Sequence, residues 1–407
     1  MLVKPQVTSG VKIKVVGIGG AGGNAINNMI KNYDIEGVEF IAVNTEAQSL
    51  SINSAEVKLQ IGADLTRGLG SGGDPQVGKK AAEESIDLIH ENMAGAELVF
   101  ITAGMGGGTG TGASPVIAGI AKNLGALTIA IVEKPFNFEG KKRMATALMG
   151  INDIKDKVDT LIVIPNQKLF EIGEKNLSFL DALKKVDDVL AQAVKSISQL
   201  ITQTGMINLD FADIKFVMSN AGTALMGVGT GTGEHRAEMA IKNAINSPLL
   251  EFSIKGATGV ILNIVGSKDL SMSEVGEASS IIAQEVSPDC NIAFGASIDP
   301  DFSDEIQVTV IATGFDAGNL SQDHQTPIIS SSISNQNKGG IENSTESQRG
   351  VQSGNKEQTE QTPTNPAEEY VQQVTPRQGT KKRVEFKEEV ESDEYDTPSF
   401  LRRSKEY

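Results

Sequence analysis

The chain has 407 residues, of which 39% are hydrophobic and 22% charged, and this length suits two or three domains. Its formal net charge of −16 argues against general nucleic-acid binding, because such proteins carry a basic surface. With one cysteine the chain cannot form a disulfide framework, and its three histidines argue against a histidine metal cluster. No apolar run reaches about 18 residues, and residues 1–10 lack a signal core. We therefore expect a cytoplasmic α/β protein without a membrane span.

Residues 11–178 alternate short β-branched runs with segments that are long enough for a helix. This alternation predicts a Rossmann-like parallel sheet with helices on both faces, preceded by an N-terminal extension over 1–10. The runs that predict strands are 12–17, 39–44, 58–62, 98–104, 127–132 and 161–166.

The next segment predicts a single long helix. Between residues 179 and 201 the apolar positions are spaced by three or four, which is close to the helical period. Such a helix would span roughly 34 Å. Because it contains no glycine or proline, we assign 179–203 as a central helix that connects two domains.

A second, α+β domain is predicted over 204–316. Its runs 214–219, 259–265 and 306–312 indicate strands, and 234–245 and 273–286 indicate helices.

The composition then changes sharply. Residues 317–382 are rich in Ser, Thr, Asn and Gln and poor in apolar residues, which predicts a disordered linker. Residues 383–407 regain Phe400 and Leu401, which indicates a docking peptide, although a frayed terminus is the alternative.

A first glycine-rich loop follows the first predicted strand. Gly17, Gly19 and Gly22 form the pattern G-x-G-x-x-G, which suits a dinucleotide site, a mononucleotide site or a tight turn. A dinucleotide site expects an acidic residue at the end of the next strand, but that strand ends in Asn44. A nicotinamide-dependent oxidoreductase is therefore disfavoured.

A second glycine-rich loop gives a stronger signal for phosphate binding. It lies between a predicted strand and a predicted helix over 113–124, and it is too rich in glycine for a simple turn. Its N–H groups, its hydroxyls and the helix N-terminus all suit a di- or triphosphate. The residues that we assign to it are Gly104, Gly106, Gly107, Gly108, Thr109, Gly110 and Thr111. A P-loop at 73–80 is rejected, because Lys80 stands where a metal-binding hydroxyl is needed. The stretch 70–73 stays as a candidate third loop that reaches the phosphates.

The sequence GGGTGTG at 106–112 resembles the signature of the tubulin/FtsZ superfamily of GTPases. The chain is most similar to the FtsZ branch, the bacterial cell-division proteins, over about 11–316. The similar motifs are, in order, GIGGAGGNAINNM at 17–29, NTEAQSL at 44–50, FNFEGKKRMATA at 136–147, IPNQKLF at 164–170, NLDFADIK at 208–215 and the tail DTPSFLRR at 396–403.

The resemblance implies a cytoskeletal GTPase that binds GTP or GDP with Mg²⁺, with K⁺ as a candidate assisting cation. It further implies a head-to-tail homopolymer that forms the division ring at mid-cell during septation. The segment from Asp396 to Arg403 would bind a membrane-tethering adaptor and division regulators. No nucleic-acid partner and no metal ligand from the protein are predicted.

The resemblance also assigns roles to residues of the nucleotide site. Glu139 would contact the ribose, and Arg143 would reach the phosphates, whereas a surface ion pair is the alternative. Asn166 and Asp187 would recognise guanine, with Asp188 as the alternative to Asp187. The phosphate-binding residues of the first loop are Gly20, Ala21, Gly22, Gly23 and Asn24, with Asn44 beside them, and Leu183 replaces a base-stacking aromatic residue.

No general base for water is evident in 1–178. Asp210 and Asp213, with Asn208 before them, could orient a water or could simply cap a helix. The resemblance implies that this loop enters the nucleotide site of the next subunit. A nucleotide-binding scaffold without turnover stays as an alternative, which the two aspartates disfavour.

Overall fold

The computed structural model describes residues 10–33, 35–172, 178–202, 205–207, 209–300 and 302–315. These residues form ten strands: β1 Ile13–Ile18, β2 Val38–Asn44, β3 Val57–Gln60, β4 Leu98–Gly104, β5 Leu127–Lys134, β6 Thr160–Pro165, β7 Gly222–Thr232, β8 Gly259–Gly266, β9 Asn291–Ile298 and β10 Glu305–Thr313.

The same residues form twelve α-helices, and a single 3₁₀ turn, Asn137–Glu139, follows β5. The helices are α1 Gly19–Asn32, α2 Ala47–Ser51, α3 Ala63–Thr66, α4 Pro75–Glu84, α5 Ile86–Met93, α6 Thr109–Asn123, α7 Lys141–Lys155, α8 Asn166–Ile172, α9 Phe179–Thr202, α10 Phe211–Met218, α11 Arg236–Ile245 and α12 Met272–Glu285.

The strands are hydrogen-bonded in the order β3-β2-β1-β4-β5-β6-β7-β10-β8-β9. The strands from β3 to β6 in this order all pair in parallel. β7 also pairs in parallel with β6, over a short stretch that begins with Thr160 opposite Gly222. β10 then pairs antiparallel with both β7 and β8. The first six strands thus have the order of a doubly wound nucleotide-binding fold. The predicted α/β class, with a long helix and a second domain, is confirmed.

Apolar side chains cover both faces of the parallel strands. On one face, residues of β1, β4 and β5 pack with α1 and with the buried side of α9. On the other face, residues of β1, β2 and β4 pack with α4, α5 and α6. A third cluster joins α11 and α12 to β8 and β10. The strand β4 is buried along almost its whole length, as expected for a central strand of a parallel sheet.

Most of the predicted elements are present, and their observed ends differ from the predicted ends by at most four residues. The segment 98–104 is β4, and the helix predicted at 179–201 is α9, Phe179–Thr202. The rejected P-loop is the start of α4, where the side chain of Asp74 accepts a hydrogen bond from the N–H of Gln76 at 2.8 Å. The predicted linker 317–382 and docking peptide 383–407 lie outside the described residues.

The strand predicted at 214–219 is wrong, because this segment belongs to α10. The run is rich in β-branched and aromatic residues, which favoured a strand. Its buried residues are Ile214, Val217 and Met218, and this spacing of three and four is helical. The side chain of Asp210 accepts a hydrogen bond from the N–H of Asp213 at 2.8 Å and so caps the helix N-terminus.

Strand β7 was not predicted, because it is rich in glycine. Gly227, Gly229 and Gly231 alternate along it and face α11. A Cβ atom at these positions would approach the carbonyl oxygens of Ala244, Ala240 and Arg236 to 2.1–2.2 Å. Glycine therefore allows the helix backbone to lie directly on the strand.

The buried guanidinium of Arg236 joins three segments of the second domain. It is only 4% exposed, and it pairs with Glu274 at 2.6 Å and with Asp269 and Asp304 at 3.1 Å. We expect Arg236→Met to lower the free energy of unfolding of this domain by about 2–3 kcal/mol, since three carboxylates, among them the partly buried one of Glu274, lose their shared cation. Because the chain has no tryptophan, urea unfolding should be followed by circular dichroism.

Lys242→Met is the matched control for this substitution. Lys242 forms an exposed ion pair with Glu238 one helical turn away. Its loss should change stability by less than about 0.5 kcal/mol. Equal effects of the two substitutions would contradict a structural role for the Arg236 cluster.

Candidate functional site

The two glycine-rich loops meet at the point where the strand order reverses. β1 lies beside both β2 and β4, so the connections after β1 and β4 leave the sheet in opposite directions. A crevice at the carboxyl ends of the strands is the usual ligand site of such sheets. The loops touch there, since a Cβ atom on Gly19 would lie 2.9 Å from the backbone nitrogen of Gly110.

Two helix N-termini open into this crevice without caps. α1 begins at Gly19 and α6 begins at Thr109, and neither has a side-chain cap or an acidic residue in its first turn. The first N–H groups of each helix therefore have no partner within the helix, and both helix dipoles are positive there. Gly20 and Gly107 have open space where a Cβ atom would stand. The arrangement fits a bound anion, such as a phosphate chain.

Gly106 has a conformation that fixes the second loop against α7. Its φ of +100° disfavours any residue with a side chain, and a Cβ atom would lie 2.7 Å from the Cγ and O atoms of Arg143. Its N–H donates to Thr111 Oγ1 at 2.8 Å. Arg143 therefore lies against the second loop at Gly106.

Three hydroxyl groups lie together at the start of α6. Thr109 Oγ1 is 2.7 Å from Thr45 Oγ1 and 3.0 Å from Ser71 Oγ. Asn44 is buried, and its side-chain oxygen accepts hydrogen bonds from the N–H groups of Thr45 and Glu46. Ser71 belongs to the stretch 70–73, which the sequence indicated as a candidate third loop at the phosphates. The hydroxyl of Thr45 was not assigned to the site from the sequence, which indicated it only by its position directly after β2.

A cavity of about 190 Å³ lies beside the first loop. It is lined mainly by polar groups and glycines, including Gly20, Gly23, Asn24, Asn44 and Ser49. The predicted residues Ala21 and Gly22 belong to the first turn of α1, directly above the same loop. The structure thus brings the predicted residues Gly20, Gly23, Asn24 and Asn44 to one cavity, whereas Ala21 and Gly22 do not line it.

Glu139 and Arg143 form the surface ion pair that was the alternative to a nucleotide contact. Arg143 Nε lies 3.1 Å from Glu139 Oε2, one helical turn away. The other oxygen of Glu139 accepts a hydrogen bond from the N–H of Phe136 at 2.8 Å. Both carboxylate oxygens of Glu139 are therefore engaged within the chain itself.

Asn166 and Asp187 lie close to the buried carboxylate of Glu133, which sequence reasoning missed. Glu133, near the end of β5, accepts a hydrogen bond on Oε2 from the side-chain nitrogen of Asn166 at 3.3 Å. Within the part of the chain that the structure describes, Glu133 Oε1 and Asn166 Oδ1 have no hydrogen-bond partner. The signal for Glu133 was present, since it is the acidic residue near the end of an otherwise apolar strand.

Burial, and secondly the charge of Asp187, raises the pKa of Glu133 to about 7. The hydrogen bond from Asn166 acts in the opposite direction on this pKa. Burial, and then the charge of Asp188, raises the pKa of Asp187 to about 6. These shifts arise from a carboxylate-rich cluster that is shielded from water. Such perturbed groups in a cleft are frequent at functional sites.

Asp187 and Asp188 have different surroundings. Asp188 accepts a hydrogen bond from the side chain of Asn28 on α1 at 3.0 Å. It also helps burial to raise the pKa of Tyr33. Asp187 instead interacts with the charge of Glu133. Leu183, one turn before Asp187 on α9, is 38% exposed.

The two predicted catalytic aspartates lie away from the glycine loops. Asp210 and Asp213 are both exposed, and Asn208 lies outside the described residues. The segment between α9 and the end of α10 is anchored at the opposite, amino-terminal edge of the sheet. A Cβ atom on Gly37, just before β2, would lie 3.1 Å from Thr202, and Thr160, the first residue of β6, donates to the carbonyl of Met218 at 2.6 Å.

Among the helices of the described residues, none combines the length and the apolar character that crossing a bilayer requires. In the same part of the chain no group of three or more His, Cys, Asp or Glu side chains could hold a metal ion.

Comparisons with known proteins agree with this architecture. The family model of the tubulin/FtsZ family GTPase domain matches residues 12–174, and that of the FtsZ family C-terminal domain matches 222–316. The chain is similar to an empty FtsZ dimer from M. jannaschii, with 46% identity and a TM-score of 0.72, over 76% of this chain and 89% of that chain.

Two more distant structures share the fold. One is the GTPγS-bound protofilament of CetZ2 from Haloferax volcanii, with 20% identity and a TM-score of 0.65, over 75% of this chain and 94% of that chain. The other is the GDP-bound monomer of CetZ1 from the same organism, with 20% identity and a TM-score of 0.65, over 75% of this chain and 95% of that chain.

Proposed function

The chain belongs to the FtsZ branch of the tubulin/FtsZ family and is a GTPase of the cytoskeletal type, and from this premise we propose that it polymerises head to tail into the filaments of a bacterial division ring. GTP bound by one subunit is hydrolysed with aspartates of the next. The observation that carries this proposal is the position of the anion site and of Asp210 and Asp213 at opposite edges of one sheet.

The phosphate chain binds between the N-termini of α1 and α6. The free N–H groups in the first turns of α1 and α6, within 20–22 and 109–111, are its donors together with Gly107 and Gly108, and Arg143 adds a positive charge at the edge of the second loop. Donation from the backbone explains how a chain with a net charge of −16 can bind a triphosphate.

Guanine binds near the start of α9. The carboxylate of Asp187 accepts from N1–H and from the 2-amino group, a pair of donors that adenine does not offer. Leu183, which is partly exposed one turn earlier, covers a face of the base. Asp188 is already bonded to Asn28, which favours Asp187 as the residue that reads the base.

Mg²⁺ fits the hydroxyl cluster of Thr45, Ser71 and Thr109 at the start of α6. Mg²⁺ prefers oxygen ligands, keeps several waters and is usually held by phosphates rather than by a cage of protein carboxylates. When bound, it would neutralise charge on the β- and γ-phosphate oxygens. An assisting role for K⁺ stays a prediction from the sequence.

Asp210 and Asp213 cannot serve the nucleotide of their own subunit. From Asp187 to the end of α9 the helix rises by about 22 Å. The strand β6, with Asn166 at one end and the contact to Met218 at the other, gives a similar separation of about 17 Å between the same two edges. A neighbouring subunit stacked on the glycine loops would bring its own aspartates to the γ-phosphate.

Exposed apolar side chains at both edges support this stacking. Leu69 is 85% exposed beside the site, and Ile52 and Phe138 are also exposed there. At the opposite edge Phe216 is 72% exposed, and Met206 is exposed near it. Two different surfaces that meet in this way form a heterologous contact, which extends into a filament when it does not close.

The rate of GTP hydrolysis per subunit tests the proposal when it is measured against protein concentration. We expect turnover to vanish below a threshold concentration, because the active site is completed between subunits. ATP is the control nucleotide and should give no turnover at any concentration. A constant rate per subunit would mean that each monomer carries its whole active site.

The tail extends the proposal beyond the described residues. We assign the segment from Asp396 to Arg403 to a membrane-tethering adaptor and to division regulators, and this places the filament in the cytoplasm at mid-cell. Phe400 and Leu401 supply an apolar anchor for docking. A chain that ends at Gly318 should show the same threshold concentration and the same rate of GTP hydrolysis per subunit as the full chain. A truncated chain without turnover would contradict a separate docking module.

A further inference from the structure

A polar cluster lies at the amino-terminal edge of the sheet, next to the end of α10, and we name it the α10 anchor: Lys122, Asp159 and Asn220. The carboxylate of Asp159 is only 10% exposed, and both of its oxygens are engaged. Oδ2 accepts a hydrogen bond from the N–H of Thr128 at 2.9 Å. Oδ1 accepts one from the N–H of Asn220 at 3.3 Å and pairs with Lys122 Nζ at 3.3 Å.

Lys122 joins the three segments of the α10 anchor. It lies in the last turn of α6, and its ammonium donates hydrogen bonds to the carbonyl of Val158 at 2.8 Å and to Asn220 Oδ1 at 3.2 Å. The backbone adds a further bond, from the N–H of Gly222 to the carbonyl of Asp159 at 3.0 Å. The end of α6, the start of β6 and the chain that leaves α10 are therefore held together.

Asn220 follows α10 in a left-handed conformation. Its φ of +51° is unfavourable for most residues with a side chain, and asparagine is one of the few that adopt it readily. In this conformation its N–H donates to Asp159 and its side-chain oxygen accepts from Lys122. Both the backbone and the side chain of Asn220 therefore bind α10 to the rest of the anchor.

The α10 anchor holds the helix that carries Asp213. The buried residues of α10 are Ile214, Val217 and Met218, which all follow Asp213 in the chain, and Asp213 itself is exposed. Because α10 rises by about 12 Å, a tilt of about 5° at its C-terminal end moves its first turn by about 1 Å. A misplacement of this size can lower a catalysed rate by about 100-fold.

Resting on the proposed function, we propose that the α10 anchor is a positioning element for catalysis between subunits, because it sets where Asp213 lies in the nucleotide site of the neighbouring subunit. Lys122 is at the far end of α6, about 20 Å along the helix from Thr109 in the phosphate loop. Loss of the anchor should therefore lower turnover at the neighbour's site and leave the nucleotide affinity of the same subunit unchanged.

The first measurement is the rate of GTP hydrolysis per subunit for Lys122→Met, well above the threshold concentration. We expect the rate to fall at least about tenfold while GTP affinity stays within about twofold. Lys14→Met is the matched control, since Lys14 on β1 pairs with Glu39 at 3.0 Å and donates to the carbonyl of Asn92 at 2.7 Å. The control should keep its rate within about twofold. Equal losses in the two variants would overturn the inference.

Asn220→Gly removes only the side-chain part of the anchor. Glycine keeps the left-handed conformation and the N–H that Asp159 uses, but it takes away the oxygen that accepts from Lys122. The rate of GTP hydrolysis should fall about threefold, the effect of one lost hydrogen bond. Full activity of both Asn220→Gly and Lys122→Met would overturn the inference.

Mixtures of variants show on which side of the subunit contact the anchor acts. Lys122→Met subunits should recover turnover with Asp187→Asn subunits, which are expected to bind GTP weakly but have an intact α10. They should not recover it with Asp213→Ala subunits, whose α10 lacks the aspartate. The GTP concentration is set to saturate the unchanged site but not that of Asp187→Asn.

The opposite pattern, with recovery only by Asp213→Ala, would place the defect at the nucleotide site of the Lys122→Met subunit itself and overturn the inference. Recovery with neither variant would indicate a general loss of folded protein, which circular dichroism detects, and would also overturn it. If the unchanged chain hydrolyses GTP without a threshold concentration or not at all, the proposed function itself is refuted.

Discussion

Asp213→Ala is expected to lower the rate of GTP hydrolysis per subunit by at least about 100-fold, the usual contribution of a positioned general base. GTP affinity should stay within about twofold, because Asp213 lies at the edge of the sheet opposite to the phosphate loops. The two effects are separated by measuring nucleotide binding below the assembly threshold and turnover above it. Equal losses of binding and turnover would contradict catalysis between subunits.

Asp210 needs a different substitution, because its side chain caps α10. Ser is about as good an N-cap as Asp but carries no charge. Asp210→Ser should therefore keep the cap of α10 while it lowers the rate of GTP hydrolysis. Asp210→Ala should lower that rate and also remove the cap. If Asp210→Ser has full activity, the carboxylate is only a cap.

A mixture of two inactive variants gives the sharpest control for catalysis between subunits. Asp213→Ala subunits bind GTP but do not supply Asp213, and subunits with a defective nucleotide site still supply it. Where the second type stacks on the first, a complete site forms. Mixing should therefore restore part of the turnover, and no recovery would indicate that each subunit uses its own aspartate.

The parts of the fold that the sequence predicted are those in which local preference and tertiary packing agree. The strand β4 is an uninterrupted apolar run, and α9 has apolar residues at a helical period. The glycine loops were identified because backbone donors need residues without side chains. These signals are local, so they can be read without knowing what packs nearby.

The parts that were missed depend on distant neighbours. The glycines of β7 are explained only by the backbone of α11, which packs directly on them. The helix α10 has strand-like residues, and its conformation is explained by the burial of one helical face, which includes Ile214 and Val217, against residues such as Ile261 of β8. Glu133 could be assigned to the site only because the structure places it beside Asn166 and Asp187.

Asp187→Asn is expected to change the nucleotide that the chain prefers. An amide accepts from only one of the two guanine donors and opposes the other with its own N–H, so GTP affinity should fall about 100-fold. Xanthine carries an oxygen where guanine has the 2-amino group, and the new amide can donate to it. The variant should therefore bind xanthosine triphosphate more tightly than GTP, as measured by competition.

The same residue should make base selection depend on pH. Burial, and then Asp188, raises the pKa of Asp187 to about 6, so the side chain is ionised at pH 7.5 and mostly protonated at pH 5. The ratio of GTP to ITP affinity isolates this effect, because ITP lacks only the 2-amino group and titration of the phosphates cancels. The ratio should fall as the pH is lowered through about 6. Asp188→Asn is the control, because it changes the hydrogen bond to Asn28 instead, and this variant should keep the preference for GTP over xanthosine triphosphate. If the preference changes in Asp188→Asn rather than in Asp187→Asn, then Asp188 is the residue that recognises guanine.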